Sequence, residues 1–295
     1  MWHKLSSNYI MKRLILNYHF WLLGILSMIF NSCSTKYKVV SENSGARKIY
    51  NLKYGEDKRN IMDVFLPEKY SSETPIVMLI HGGAWVFGNK SHVRSIQNFL
   101  MENHIPTVNI NYRLVDKNTT YKTLLEDISK AVETFHSKQK EWNLNREKLI
   151  LLGESAGGHL ALLYGYQNPN KVEKIISLSG PTDFYSEKYL NSKYYKNSYK
   201  TFQKVVGEKY DGSDLEAFKK ASPIYVAANV PTHHFQGTND FLVNKEQGLA
   251  LDSVLTEKKI PHQFVYMQNM GHAPRFFKKK RENLVYPNIV KFIKE

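Results

Sequence analysis

The sequence predicts an α/β fold: a mostly parallel central sheet flanked by helices on both faces, with a small cap insertion. Three observations predict it. Apolar runs alternate with amphipathic stretches along most of the chain, the pattern of strands joined by crossover helices. The runs Pro75 to Ile80 and Lys148 to Leu152 are almost continuously apolar, as strands covered on both faces must be. Between the second run and a helix-like stretch, Gly158 to Gln167, lies Gly153-Glu154-Ser155-Ala156-Gly157, a strand-to-helix turn whose glycines leave no β-carbon to collide with neighbouring backbone.

The chain begins with a segment that reads as a signal. Met11-Lys12-Arg13 is a short basic region, followed by an apolar core from Phe20 to Met28 interrupted only by Gly24 and Ser27. That core is too short to span a bilayer comfortably. It ends at Phe30-Asn31-Ser32-Cys33. A lone cysteine just past such a core resembles the lipid-attachment cysteine of bacterial lipoproteins, although Phe30 replaces the usual Leu. The alternative is an uncleaved anchor with an incidental cysteine. Either tethers the protein to a membrane, so the expected location is the bacterial cell envelope. Residues 1–33 are therefore read as signal peptide and lipidation site, 34–45 as a polar tether, and 46–295 as one domain.

The domain's elements follow in order. Ala46 to Leu52 and Asn60 to Leu66 alternate as two strands around the turn Gly55-Glu56-Asp57. The run Pro75 to Ile80 ends at His81-Gly82-Gly83-Ala84-Trp85. Ser91 to Met101 reads as a helix with Ser91 at its N-cap, and Pro106 to Tyr112 as a strand. Leu124, Leu125, Ile128, Ala131, Val132 and Phe135 share one helical face, which makes Thr123 to His136 an amphipathic helix. The elbow strand and its helix come next, then a strand at Lys174 to Ser179. Residues 183–215, rich in Tyr, Lys and Ser, read as the cap. Thr232 to Gln236 is a strand, Val243 to Lys258 a helix, His262 to Met267 a strand, and Phe276 to Ile293 the closing helix.

Composition narrows the function. The 295 residues suffice for one large core, and 42% hydrophobic with 23% charged residues excludes a disordered chain. The net charge is +14, but the lysines are scattered apart from Lys278-Lys279-Lys280-Arg281, with no zinc-finger spacing and no aromatic RNA-binding motif. A solvated basic surface explains this charge, and no nucleic-acid partner is expected. With Cys33 the sole cysteine, neither an internal disulfide nor a cysteine-based metal site is available. No metal or cofactor is expected.

The residues that remain have the chemistry of acyl transfer, which needs a nucleophile, a base, a group orienting the base, and donors for an oxyanion. Gly-x-Ser-x-Gly between strand and helix is a nucleophile elbow, so Ser155 is the candidate nucleophile. His272 follows the strand His262 to Met267, and Asp240 follows the strand Thr232 to Gln236. Ser155, Asp240 and His272, in that order along the chain, each lie just past a predicted strand, which places all three at one end of the sheet. His262, His233 and His234 are rival bases, and Asp183 is a rival acid. Gly82 and Gly83, after another strand, would offer backbone N–H groups as oxyanion donors, with Ala156 a third. Trp85 and Phe87 are candidate pocket walls, with simple packing as the alternative.

On these residues the chain resembles the α/β-hydrolase superfamily. More narrowly, it is similar to the esterase and lipase branch akin to hormone-sensitive lipase, carboxylesterases and acetyl esterases. The resemblance runs from Met62-Asp63-Val64-Phe65-Leu66-Pro67 to the C-terminus. It includes His81 to Trp85, Asn111-Tyr112-Arg113-Leu114, Asp127, Gly153 to Gly158, Ser222-Pro223 and Gly237 to Asp240. Kynurenine formamidase and prenylcysteine methylesterase share the His-Gly-Gly-x-Trp and Ser-Ala-Gly-Gly patterns. His233-His234 departs from relatives, which usually have apolar residues there. The resemblance implies a serine hydrolase of small acyl esters, acetyl or aromatic, with a Ser155-His272-Asp240 triad, and the expected envelope location adds esters on glycans. A formamidase-like hydrolase and a non-catalytic binding module on the same scaffold are the alternatives.

Overall fold

Nine strands form one sheet among the residues this computed structural model describes, which are 37–41, 45–186, 196–210, 215–274 and 278–295. In chain order the strands are β1 (Lys38–Ser41), β2 (Arg47–Lys53), β3 (Ile61–Leu66), β4 (Val77–Ile80), β5 (Thr107–Ile110), β6 (Leu149–Glu154), β7 (Val172–Leu178), β8 (Thr232–Gly237) and β9 (His262–Met267). They lie in the order β1-β2-β3-β5-β4-β6-β7-β8-β9. The six from β5 to β9 are parallel, and β3, β2 and β1 add antiparallel at one edge.

The principal helices are α1 (Arg94–Glu102), α2 (Tyr121–Lys138), α3 (Ala156–Gln167), α4 (Lys196–Val206), α5 (Glu216–Lys220), α6 (Pro223–Val226), α7 (Lys245–Glu257), α8 (Lys278–Lys280) and α9 (Tyr286–Lys294). Alternation along each strand feeds two cores. Val77 and Leu79 of β4, with Ile150 and Leu152 of β6, pack under α1 and α9 through Ile96, Leu100, Ile289 and Phe292. Met78, Ile80, Leu149 and Leu151 pack the other face, under α2, α3 and α7. Apolar area removed from water is worth about 25 cal/mol per Å², and the continuous apolar runs exist because both faces are covered in this way.

The topology also places a crevice. From β4 the chain leaves towards β5 on one side, and from the adjacent β6 towards β7 on the other. In open α/β sheets, ligands bind beyond the carboxyl ends of strands at such a switch point. The loops leaving β4 and β6 are those of His81-Gly82-Gly83 and Ser155.

Several elements differ from expectation. The tether assigned to 34–45 contains β1, paired with β2 from Lys38↔Tyr50 to Ser41↔Arg47. An edge strand needs only backbone partners, so its exposed side chains read as polar linker. Asn89, not Ser91, caps the helical segment after β4: its side chain accepts the Ser91 N–H at 2.9 Å, and a 3₁₀ turn (Lys90–Val93) precedes α1. The closing helix is interrupted by a π-helical turn, Arg281–Val285. In the cap, α4 buries Phe202, Val205 and Val206, a single apolar stripe that the surrounding Tyr, Lys and Ser conceal in the sequence. Residues 1–33, with Cys33, and the cap residues 187–195 and 211–214 lie outside the described residues.

Candidate active site

Ser155 is placed by β6 and α3. Its backbone sits at φ 55°, ψ −121°, a sparsely populated region held only where surroundings over-determine it. Those surroundings are hydrogen bonds from Ser155 N–H to the Leu178 carbonyl (2.8 Å) and from His159 N–H to the Ser155 carbonyl (3.0 Å). The two elbow glycines are steric requirements. A Cβ on Gly153 would lie 2.0 Å from the Gly157 carbonyl oxygen, and one on Gly157 2.1 Å from that of Ile80. Gly157→Ala is therefore expected to destabilise the fold by roughly 1–3 kcal/mol or more. A melting temperature unchanged within a degree by thermal denaturation would contradict this packing.

The loop after β4 is clamped from outside. The His81 ring stacks on Tyr112 with centroids 4.3 Å apart, and the Tyr112 hydroxyl donates to the His81 carbonyl at 2.7 Å. Arg59 donates to the Tyr112 carbonyl at 2.6 Å and to the Gly88 carbonyl at 2.8 Å. Within the loop, Gly83 has φ 128°, and a Cβ there would meet the Phe87 carbonyl oxygen at 2.0 Å. The Gly83 carbonyl accepts from Val86 (3.1 Å) and Phe87 (3.0 Å). Among the described residues, the N–H groups of Gly82, Gly83 and Ala156 have no hydrogen-bond partner. For Ala156 this follows from its place in the first turn of α3, where no carbonyl four residues back is available.

Asp240 and His272 meet because β8 and β9 are parallel neighbours in register, Gly237 opposite Met267. Beyond the strands the two loops are joined by Thr238 N–H to Met267 carbonyl (3.0 Å), Asn239 N–H to Met270 carbonyl (3.0 Å), and Asn269 N–H to Thr238 Oγ1 (2.8 Å). His272 Nδ1 lies 2.8 Å from Asp240 Oδ2. The other carboxylate oxygen, Oδ1, accepts the N–H groups of Leu242 (3.0 Å) and Val243 (2.9 Å). Asp240 thus both turns the chain towards α7 and faces the imidazole, while Asn244 caps that helix.

Ser155 and His272 line one cavity of about 590 Å³. Its walls include Gly83, Trp85 and Phe87 from the β4 loop, Phe202 from α4, and Phe241 and Leu242 beside Asp240. Apart from His272, none of the described lining side chains is ionisable. Trp85 is 3% exposed, so it is both packed and part of the wall. Its indole N–H donates to His159 Nδ1 at 3.1 Å, and His159 Nε2 donates to the Ala221 carbonyl at 2.7 Å. Burial pushes the His159 pKa down to about 4, so a neutral ring ties the β4 loop and α3 to Ala221, just after α5.

The rivals lie elsewhere. His262, at the start of β9, is 3.1 Å from Asp252. His233 and His234 are buried within β8, stacked on Phe235 and Phe264 respectively. Asp183 accepts the Tyr185 N–H at 2.8 Å, its carboxyl raised above the usual range by burial. The sequence reading missed Phe241 and Leu242, though two bulky apolar residues after a candidate acid are a visible signal. It also missed His159, one helical turn from the serine, and Phe202, for which the sequence carries no local signal.

Known proteins share this architecture. A truncated carbohydrate esterase from gut microbiota superposes with a TM-score of 0.72 at 18% identity, covering 88% of this chain and 100% of that one. Inhibited esterase B of Lactobacillus rhamnosis gives 0.71 at 14% identity, covering 95% of each. At these identities the likeness is one of fold, the α/β-hydrolase fold. In sequence, the chain is 28% identical over 130 residues to "Probable isoprenylcysteine alpha-carbonyl methylesterase ICMEL1" of Arabidopsis thaliana, a match covering 44% of this chain and 26% of the relative. A non-reducing polyketide synthase of Stereocaulon alpinum is 33% identical over 146 residues, spanning 6% of its own length. The BD-FAE family model matches residues 62–255, a span that carries the β4 loop, the serine elbow and Asp240. Since that match extends over well more than half of the sequence, the chain belongs to the BD-FAE family.

Proposed function

We propose that the protein is a serine carboxylic ester hydrolase for small acyl esters, acetyl or aromatic, working through an acyl-enzyme. The observation that carries this reading is the 2.8 Å contact between His272 and Asp240 at the wall of the cavity that Ser155 also lines. Asp240 holds the imidazole with its proton on Nδ1, which leaves Nε2 to take the proton of Ser155 as the hydroxyl attacks the acyl carbonyl. The N–H groups of Gly82, Gly83 and Ala156 receive the oxyanion. The protonated imidazole then returns its proton to the leaving alcohol, and water deacylates the serine by the same route. Esterases among the structural neighbours and a methylesterase among the sequence relatives support this chemistry. The carbohydrate esterase neighbour and the expected envelope location support acyl groups carried on glycans.

Asp240→Asn is expected to lower kcat by about 10⁴-fold. The amide nitrogen would face Nδ1 and force the wrong tautomer, while the amide oxygen can still accept from Leu242 and Val243. Steady-state hydrolysis of p-nitrophenyl acetate measures this, and a loss below tenfold would remove Asp240 from the mechanism. A panel of acetyl, butyryl and aromatic esters alongside N-formyl aryl amines tests the substrate class. Strong preference for the amides would replace the esterase reading with a formamidase. Membrane attachment through Cys33 is part of the proposal. Cys33→Ser is expected to move the protein to the soluble fraction, and unchanged fractionation without lipid incorporation in the wild type rejects it.

A further inference from the structure

We propose that Arg281 is a positioning residue that sets the serine elbow against the histidine loop; the proposal rests on the triad reading given above. Arg281 opens the π-helical turn between α8 and α9 and is 6% exposed. One arm of its guanidinium, Nη2, donates to Glu154 Oε2 at 2.7 Å. The other arm, Nη1, donates to the Ala273 carbonyl at 3.3 Å. Glu154 directly precedes Ser155, and Ala273 directly follows His272. A single rigid, planar group therefore spans the immediate neighbours of nucleophile and base.

The loop it holds depends on outside support. Ala273 has φ 46°, a left-handed conformation that is uncommon away from glycine. It is gripped on both sides, by Arg281 at its carbonyl and by Ser179 Oγ, which accepts its N–H at 3.1 Å. Ser179 in turn directly follows β7, whose Leu178 carbonyl binds the Ser155 N–H. Both attachments of Ala273 thus lead back to the elbow. The guanidinium itself is seated over the Tyr286 ring, 5.7 Å from its centroid.

Stability alone is a poor reason for such a pair. Two ions buried in a core are often no more stabilising than apolar residues of the same volume. What a fork-shaped cation adds is a fixed distance between two acceptors. For a proton relay that distance matters, since misplacement by about 1 Å can cost 10²-fold in rate. The π-helical turn fits the same role, because such turns recur at functional sites.

The test uses the full chain with Arg281→Met and Arg281→Lys, assayed on p-nitrophenyl acetate. Active sites are counted by fluorophosphonate labelling carried to completion, so that unfolded molecules drop out. Arg281→Met is expected to lower kcat per labelled site by roughly 10- to 100-fold with KM within about twofold. Arg281→Lys keeps a cation for Glu154 but cannot fork to Ala273. It is expected to hold the melting temperature and still lose at least about fivefold in kcat per site. If Arg281→Met yields no labelled sites, Arg281→Lys decides by the same criterion. A kcat per site within about twofold of wild type in Arg281→Lys, whatever its melting temperature, overturns the proposal. Ser155→Ala run in parallel separates the two readings: if it labels and turns over like wild type, the triad reading itself has failed, independently of Arg281.

Discussion

Ser155→Ala is expected to abolish turnover, with a fall in kcat of about 10⁶-fold where the nucleophile acts as part of a triad. The same change is expected to eliminate labelling by a fluorophosphonate probe. The fold should survive it. Alanine carries the same β-carbon as serine, so the positive φ of 55° at this position is no more strained than before. The bonds that hold the elbow run through the backbone, from Ser155 N–H to Leu178 and from His159 N–H to the Ser155 carbonyl. Circular dichroism and thermal denaturation should therefore match wild type while activity is lost. Residual hydrolysis from the oxyanion donors and binding alone can reach 10³- to 10⁴-fold over water, so the comparison must be made against an enzyme-free blank. Equal labelling of variant and wild type would remove Ser155 from the nucleophile's role and leave the BD-FAE scaffold without its proposed chemistry.

The second large effect is on stability, not rate. Burial lowers the pKa of His159, His233 and His234 to about 4 each. In the unfolded chain these imidazoles titrate near 6.5. The folded state therefore favours their neutral form. The stability this represents is fully present above pH ~6.5 and is lost as pH falls from there towards 4, because unfolding lets the rings take up protons. Each contributes on the order of 3 kcal/mol. Three together rival the whole net stability of a typical domain, about 5–15 kcal/mol. Denaturant unfolding followed across pH 7.5 to 4.5 should show a steep decline below pH 6.5, steepest at about pH 5, midway between the two pKa values. His233→Leu is expected to flatten that decline by about one proton's worth and to leave stability at pH 7.5 equal or higher. The ring nitrogens of His233 have no hydrogen-bond partner among the described residues, and leucine suits its place against Phe235 and Phe292. Stability that stays level between pH 6.5 and 4.5 would mean these rings are hydrated or paired in solution.

Much of the fold was legible because its signals are local. The runs that became β4 and β6 are apolar at consecutive positions, as a strand covered on both faces requires. The amphipathic stripe of Leu124, Ile128, Ala131, Val132 and Phe135 marked α2 and is buried throughout. Boundaries slipped where a partner outside the window decided them. β1 exists because β2 offers an edge. Asn89 caps the turn before α1 because its side chain, and not that of Ser91, lies at the right backbone angle, with φ −160° and ψ 172°.

The candidate site divides in the same way. Gly157 meets Ile80 of a distant strand, but Gly153 and Gly83 are bound by steric demands within a few residues, and those demands are written in the local sequence. So is the order of Ser155, Asp240 and His272 along the chain. What only the tertiary structure decided is which distant loops touch. Asp240 reaches His272 because β8 and β9 pair in one register. Phe202 of the cap faces the serine's cavity, and Arg281 joins the residues next to nucleophile and base from a helix more than a hundred positions beyond the elbow. The burial that drives the three imidazoles towards pH 4 is likewise a property of packing. A backbone turn costs energy that its own residues can reveal, whereas a contact between remote side chains has no local energy until the sheet has closed and brought them together.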